Sequence, residues 1–240
     1  MIQRIVSTCL TAVLLVACSV QADEASVRKS IEPVLQSMFG ADFKIEAVQK
    51  LPPLDLYELQ VGDDLAYTDE KGSFLILGSV IDLKSKKNLT EERKNKLSQI
   101  KFSDLPLDLA IKQVKGNGKR VLATFEDPNC SYCKKLAKEL QGMTNITIYT
   151  FVYPIFPQSS GIAKAIWCAP NRAKAWNDYL INGISPAEGK CDTSGVDKIV
   201  AAGKKLNIRG TPALFFADGS RVPGYMPTAQ LEETLNRLTK

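Results

Sequence analysis

The sequence predicts a two-domain α+β chain: a small domain of one helix and a β-meander, a linker helix, and a larger α/β domain whose mixed sheet carries helices on its faces. Three observations lead there. Short β-rich runs separated by turn residues fill the stretch up to residue 85, a charge-dense segment follows, and beyond it strand and helix periodicities alternate. The boundaries read as 1–22 for a leader, 23–85 for the first domain, 86–104 for the linker helix and 105–240 for the second domain.

The leader carries one charge, Arg4, then an apolar run from Cys9 to Ala17 and the small-residue pattern Val20-Gln21-Ala22. This is the layout of a secretory signal peptide, too short for a comfortable transmembrane span. A second reading fits the same segment: Leu15-Val16-Ala17-Cys18 has the form of a bacterial lipobox, with Cys18 lipidated and first in the mature chain. Both readings export the protein.

In the first domain, Val27, Ile31, Val34, Leu35 and Met38 share a helical face that Gly40 ends. The runs Phe43–Val48, Leu54–Val61, Leu65–Thr68 and Ser73–Leu83 then read as strands, broken by Pro52-Pro53, Gly62-Asp63-Asp64 and Glu70-Lys71-Gly72. About 60 residues make a marginal core, and a sheet edge shared with a second copy would relieve it. Between Lys84 and Lys101, Thr90 is a plausible N-cap before Glu91-Glu92-Arg93, with few apolar anchors on the helix that follows.

In the second domain, Arg120–Phe125 and Asn145–Tyr153 read as strands joined by a helix over Cys130–Leu140. Helical stretches follow at 160–182, interrupted near Pro170, and at 197–206. A hairpin of Ala213–Phe216 and Ser220–Val222 turns at Asp218-Gly219, and Leu231, Leu235 and Leu238 mark a closing helix. A mixed sheet interrupted by a helical insertion in this way is the thioredoxin-like layout.

The composition excludes several chemistries. The chain has no histidine, so no Ser-His-Asp triad, Cys-His dyad or His-containing metal site can form. The net charge of +5 is spread along the chain instead of gathered in a stripe, which argues against nucleic acid as partner. Beyond the leader stand Cys130, Cys133, Cys168 and Cys191, an even number in an oxidising compartment. The pairing most economical with their spacing is Cys130–Cys133 and Cys168–Cys191. Four structural staples, or a zinc site, are the alternatives, and the wide separation of Cys168 from Cys191 disfavours zinc. No motif asks for a metal or an organic cofactor.

Cys130-Ser131-Tyr132-Cys133 stands where a strand ends and a helix begins. There the first sulfur meets unpaired backbone N–H groups and the positive end of the helix dipole, both of which stabilise a thiolate. Cys130 is thus the expected exposed nucleophile. Cys133, one turn on and in register with Leu136, Ala137 and Leu140, is the expected resolving thiol, held at high effective concentration. Lys134 and Lys135 read as a solvated helix face. Glu126 and Asp127 could relay a proton to the resolving cysteine, or Asp127-Pro128-Asn129 could be an ordinary turn. Gly210-Thr211-Pro212 opens a strand and is a candidate cis peptide whose Thr211 backbone would meet an extended substrate beside Cys130.

Five segments carry a resemblance: Phe125-x-Asp127-x-x-Cys130-x-Tyr132-Cys133, Ala165-Ile166-Trp167-Cys168-Ala169, Gly210-Thr211-Pro212-Ala213, Asp218-Gly219 and Val222-Pro223-Gly224-Tyr225. Together they resemble the bacterial periplasmic disulfide isomerases of the DsbC/DsbG family. Between the cysteines stand Ser131-Tyr132, where the two branches of that family carry Gly-Tyr and Pro-Tyr. The resemblance implies a cystatin-like dimerisation domain ahead of a thioredoxin-like catalytic domain. It implies redox roles for Cys130 and Cys133, substrate contacts at Thr211, Pro212 and Tyr132, and a structural Cys168–Cys191 bridge. It further implies a periplasmic homodimer acting on misfolded disulfide-containing exported proteins, reduced by a membrane thiol reductase of the DsbD type. Two rival activities go with it: reduction of sulfenic acids on single cysteines, as in the DsbG branch, and thiol-independent holding of unfolded chains in an apolar dimer cleft.

Overall fold

The structure is a computed structural model and describes residues 16–52, 54–62 and 64–239. Most of the expected leader, Cys9 included, lies outside the described residues, as does the side chain of Cys18. Ala22 falls within the first helix, α1 (Val16–Phe39). Two compact units meet at the Leu97–Ser98 bond.

In the first unit α1 packs on an antiparallel sheet of β1 (Ala47–Leu51), β2 (Leu56–Val61) and β3 (Asp64–Thr68), in that order. The helix contributes Val27, Ile31 and Leu35, and the sheet Val48, Tyr57, Leu59 and Ala66. The buried line of α1 advances by four residues at a time, so the apolar stripe is narrower than the sequence suggests. Val34 and Met38 lie off it and are exposed.

The segment expected as a fourth strand, Ser73–Leu83, forms only a single bridge from Ile76 to Tyr67 and the two-residue strand β4 (Ile81–Asp82), which pairs with β5 (Lys87–Asn88). Of its apolar residues Leu75 packs on the core of the unit, while Leu77 is 72% exposed and Leu83 85%. A strand without a covered face gains too little to order itself.

The linker helix is also shorter than the expected 86–104. Helix α2 spans Leu89–Leu97. Asn88, not Thr90, caps it, its side-chain oxygen accepting the Glu91 N–H at 3.1 Å. Thr90 is buried; its hydroxyl accepts the Val80 N–H at 2.8 Å and bonds to the Tyr67 hydroxyl. Arg93 reaches Glu58 at 2.9 Å and Lys94 reaches Asp64 at 3.0 Å, which binds α2 to the first sheet. From Ser98 the chain belongs to the second unit. The Ile100 N–H donates to the Gly219 carbonyl at 3.1 Å and the Gln99 side chain to the Asp218 carbonyl at 3.0 Å, so residues 98–104 run over the hairpin turn instead of continuing the helix. Gly219 has φ +82° and no room for a Cβ beneath the Ile100 carbonyl.

The second unit has a five-stranded sheet in the order β10-β9-β7-β8-β6. Its strands are β6 (Ile111–Lys115), β7 (Arg120–Glu126), β8 (Ile146–Val152), β9 (Ala213–Phe216) and β10 (Arg221–Val222). β7 and β8 are parallel and joined by α3 (Ser131–Gln141); the other neighbours are antiparallel. The central strand β7 buries Leu122 through Glu126, because helices cover both faces of the sheet. Edge strand β6 has no counterpart in the sequence reading: only Ile111 is buried, and Val114 faces solvent. The helical insertion is α4 (Ser159–Cys168) and α5 (Arg172–Asn182), broken around Pro170. Then come α6 (Ser194–Lys205) and α7 (Thr228–Leu238).

A disulfide joins Cys168, the last residue of α4, to Cys191, ahead of α6. The bridge spans 23 positions of sequence, a loop whose closure is worth about 3 to 4 kcal/mol on chain-entropy grounds. The paired Cys168→Ser and Cys191→Ser variant should lose about that much in urea denaturation while its remaining two thiols still exchange. An unchanged denaturation midpoint would sink this assignment.

Candidate active site

The register of β7 against β8 ends at Glu126 opposite Val152, and the chain then turns through Asp127-Pro128-Asn129 into α3. Asp127 organises this turn. One carboxylate oxygen accepts the Asn129 N–H at 2.7 Å and the Ser159 hydroxyl at 2.6 Å; the other accepts the Ile155 and Phe156 N–H groups at 2.7 and 3.0 Å. Asn129 in turn donates to Ser159 and accepts from the Tyr179 hydroxyl, tying the turn to α4 and α5. With every contact spent on the loop, Asp127 has the surroundings of a clamp, not of a proton relay.

Cys130 follows as the N-cap residue of α3, in extended conformation with its side chain making no capping bond. Its sulfur is directed instead at the cis Thr211–Pro212 peptide of the same unit, donating to the Thr211 carbonyl at 3.2 Å. The structure thus brings together Cys130, Thr211 and Pro212, which are 81 residues apart in sequence for the bonded pair. Both Cys130 and Cys133 are free thiols. Cys130, expected to be exposed, is buried with 7% exposure under the Thr211–Pro212 loop, and Cys133 has none, so the first thiol is the one nearer the surface. Burial above all, with the negative charge of Glu126 added, pushes the Cys133 thiol well above its ordinary range.

Tyr132, between the cysteines, is 59% exposed. Its ring lies 5.8 Å from that of Tyr225, and the two form an aromatic wall beside Cys130. Tyr225 is held from behind: its hydroxyl donates to Glu139 at 2.7 Å, and Thr228 donates to the other Glu139 oxygen at 2.7 Å. The lysines expected as a solvated face do more than that. Lys135 sits 4.4 Å over the Tyr225 ring and Lys134 5.6 Å over that of Tyr179. The sequence names Tyr225 within a motif without indicating that it would meet Tyr132, because their contact depends on how the segment after β10 folds back on α3.

Cys168 and Cys191 are away from these groups, joined to each other. Beside their bridge the Arg172 guanidinium lies 3.6 Å from the Trp167 ring centroid, and the Trp167 indole N–H donates to the Asp192 carbonyl at 2.9 Å. The arrangement around Cys130 and Cys133 has what thiol–disulfide exchange needs: a sulfur at a helix N-terminus, a second, more deeply buried sulfur one turn behind it, and a backbone carbonyl edge next to the first.

Known proteins show the same organisation. Residues 107–239 match the thioredoxin-like domain family, and residues 18–91 match the disulfide bond isomerase protein N-terminal domain. The probable thiol:disulfide interchange protein DsbC of Bordetella pertussis is 49% identical over 194 residues, covering 80% of this chain and 69% of that protein. The thiol:disulfide interchange protein DsbC of Escherichia coli K12 is 28% identical over 226 residues, covering 92% of this chain and 90% of that one. A crystal structure of a disulfide interchange protein from Neisseria gonorrhoeae is 41% identical with a TM-score of 0.54, covering 57% of this chain and 99% of that chain. With both of its units matched and a curated relative 49% identical over 194 residues, this chain belongs to the DsbC family of thiol:disulfide interchange proteins.

Proposed function

We propose that this chain is an exported homodimeric disulfide isomerase and reductase that repairs wrongly paired disulfides in other periplasmic proteins. The observation that carries the reading is the reduced Cys130 at the N-cap of α3, its sulfur against the Thr211 carbonyl. The Cys130 thiolate attacks a substrate disulfide, forming a mixed disulfide and releasing one substrate thiolate. A second substrate thiol then displaces Cys130, which is rearrangement, or Cys133 does so, which is reduction and leaves Cys130–Cys133 oxidised. Thr211, with the cis-Pro212 turn, offers main-chain contacts to an extended substrate segment, and the exposed Tyr132 an apolar one. A membrane thiol reductase of the DsbD type returns the oxidised pair to the dithiol.

The dimer reading is supported by the first unit, where Phe74, Ile76, Leu77, Ile81 and Leu83 are all exposed beyond β3. A second copy laid against this edge would bury them and complete the pairing that Ser73–Leu83 lacks.

Three outcomes test the proposal. The Cys133→Ala variant should accumulate mixed disulfides with exported proteins, visible as reducible adducts on non-reducing gels, and a Cys130→Ala change should abolish them. A chain beginning at Ser98 should sediment as a monomer, still reduce disulfides and lose most refolding of a scrambled substrate; undiminished refolding would refute the dimer requirement. In acid-quenched cells Cys130 and Cys133 should be mostly free thiols, becoming oxidised when the membrane reductase is deleted. A pair found mainly oxidised in normal cells would identify an oxidase instead.

A further inference from the structure

Beyond β10, which ends at Val222, the chain returns to α3 and sets Tyr225 against it. The Tyr225 ring is partly buried on the cluster that Leu136 and Leu140 of α3 form with Leu231 and Leu235 of α7. Packing of this kind accounts for an aromatic residue at the position but not for where the ring extends. It meets the ring of Tyr132, between the two redox cysteines, at 5.8 Å with the planes inclined by 33°.

The ring is fixed by groups on the same helix that begins after Cys130. The Tyr225 hydroxyl donates to one Glu139 oxygen at 2.7 Å, and the other oxygen accepts the Thr228 hydroxyl at 2.7 Å. Thr228 is the first residue of α7, so the carboxylate that anchors Tyr225 also stands at the positive end of that helix. Lys135, one turn before Glu139 on α3, lies 4.4 Å over the ring. Tyr132 itself is 59% exposed. A fixed ring beside an exposed one is a contact surface that loses little conformational freedom when something covers it.

What arrives at this surface is set by its neighbours. The Cys130 sulfur lies against the Thr211 carbonyl at the cis-proline turn, so a segment that brings a disulfide to Cys130 runs along that main-chain edge. Residues of an extended segment are spaced by about 3.3 Å, which carries the side chain next to its cysteine to the ring of Tyr132, two positions past Cys130.

We propose that Tyr225, together with Tyr132, selects substrates by the side chain adjoining the attacked cysteine, taking an aromatic residue there in preference to an aliphatic one. This rests on the thiol-exchange reading above and names the class of disulfide it favours. Aromatic pairs in offset or edge-on contact gain more than their buried area alone supplies, enough to change association about 3- to 10-fold. The covalent step is the same for every substrate: the Cys130 thiolate attacks, the bond from Cys130 to substrate forms as the substrate S–S bond breaks, and the electron pair leaves on the other substrate sulfur. The rings act on the encounter that precedes it. Large aromatic side chains are mostly covered in a correctly folded protein, so a disulfide that offers one at its flank is a disulfide in need of repair.

The test uses the full-length chain carrying Cys133→Ala, in which mixed disulfides persist, and two disulfide-bonded peptides of equal length and charge whose attacked cysteine is flanked by tyrosine or by leucine. Acid-quenched samples give the rate of adduct formation with each. The tyrosine peptide should react about 3- to 10-fold faster. Adding Y225L, which keeps apolar bulk against Leu136 and Leu140 but removes the ring, should bring the ratio of the two rates close to one. Adding Y225F instead, which restores the ring without the bond to Glu139, should recover most of the preference. Y132S, at the exposed ring and outside the core, should lower the ratio as well. Each ratio is read within one protein, so a variant that is slower or less stable with both peptides still decides the matter. Equal rates for the two peptides before any ring is changed would overturn the proposal and leave the exchange reading standing. Full preference retained in Y225L would overturn the part assigned to Tyr225. No adduct with either peptide would overturn the proposal and the exchange reading together.

Discussion

The carboxylate of Asp127 holds the redox loop in the shape on which the rest of the centre depends. A buried charge survives only when its lone pairs are used, and here two backbone N–H groups from the segment before α4, one from Asn129 and the Ser159 hydroxyl use them. The turn after β7 is thereby fastened to the helical insertion, and α3 can start only at Cys130. Because the same insertion supplies Tyr179 to Asn129, its helices position the loop from outside the sheet. The Cys168–Cys191 bridge, at the far end of α4, secures that support at a second point.

Two carboxylates adjacent in sequence are therefore set in opposite environments. Alternation along the end of β7 sends Glu126 under α3, where it meets one hydroxyl and an open cavity, while Asp127 points to the loop and meets four donors. Nothing in the dipeptide itself distinguishes them; the difference comes from which elements cover each face.

Much of the second unit was legible because its signals are local and strong. The strand over 120–125, the helix after Cys130 and the hairpin at Asp218-Gly219 each rest on periodicity or turn chemistry, and they were placed within a residue or two of β7, α3 and β9–β10. The cysteine spacing and the Gly210-Thr211-Pro212 motif pointed to groups that do meet at the Cys130 sulfur. What was not legible depends on tertiary cover. Edge strand β6 has one buried side chain and so no alternation to detect. Ser73–Leu83 has the composition of a strand but finds within its own unit only a bridge to Tyr67 and a two-residue pairing with Lys87–Asn88. Thr90 looked like a cap because of the acidic residues after it, yet burial against Tyr67 gave its hydroxyl another use. The cavity beside Glu126 draws on β6, β7, β8, α3 and α5, and no window of sequence contains it.

The placement of the two tryptophans has a consequence for observing the protein at work. Trp176 packs in the cluster that contains both Cys130 and Cys133 and lines the Glu126 cavity. Trp167 packs at the margin of the same cluster, covered by the Arg172 guanidinium beside the Cys168–Cys191 bridge. Sulfur groups quench indole emission according to their distance and ionisation, so in Trp176 the chain carries a built-in optical label for its redox centre.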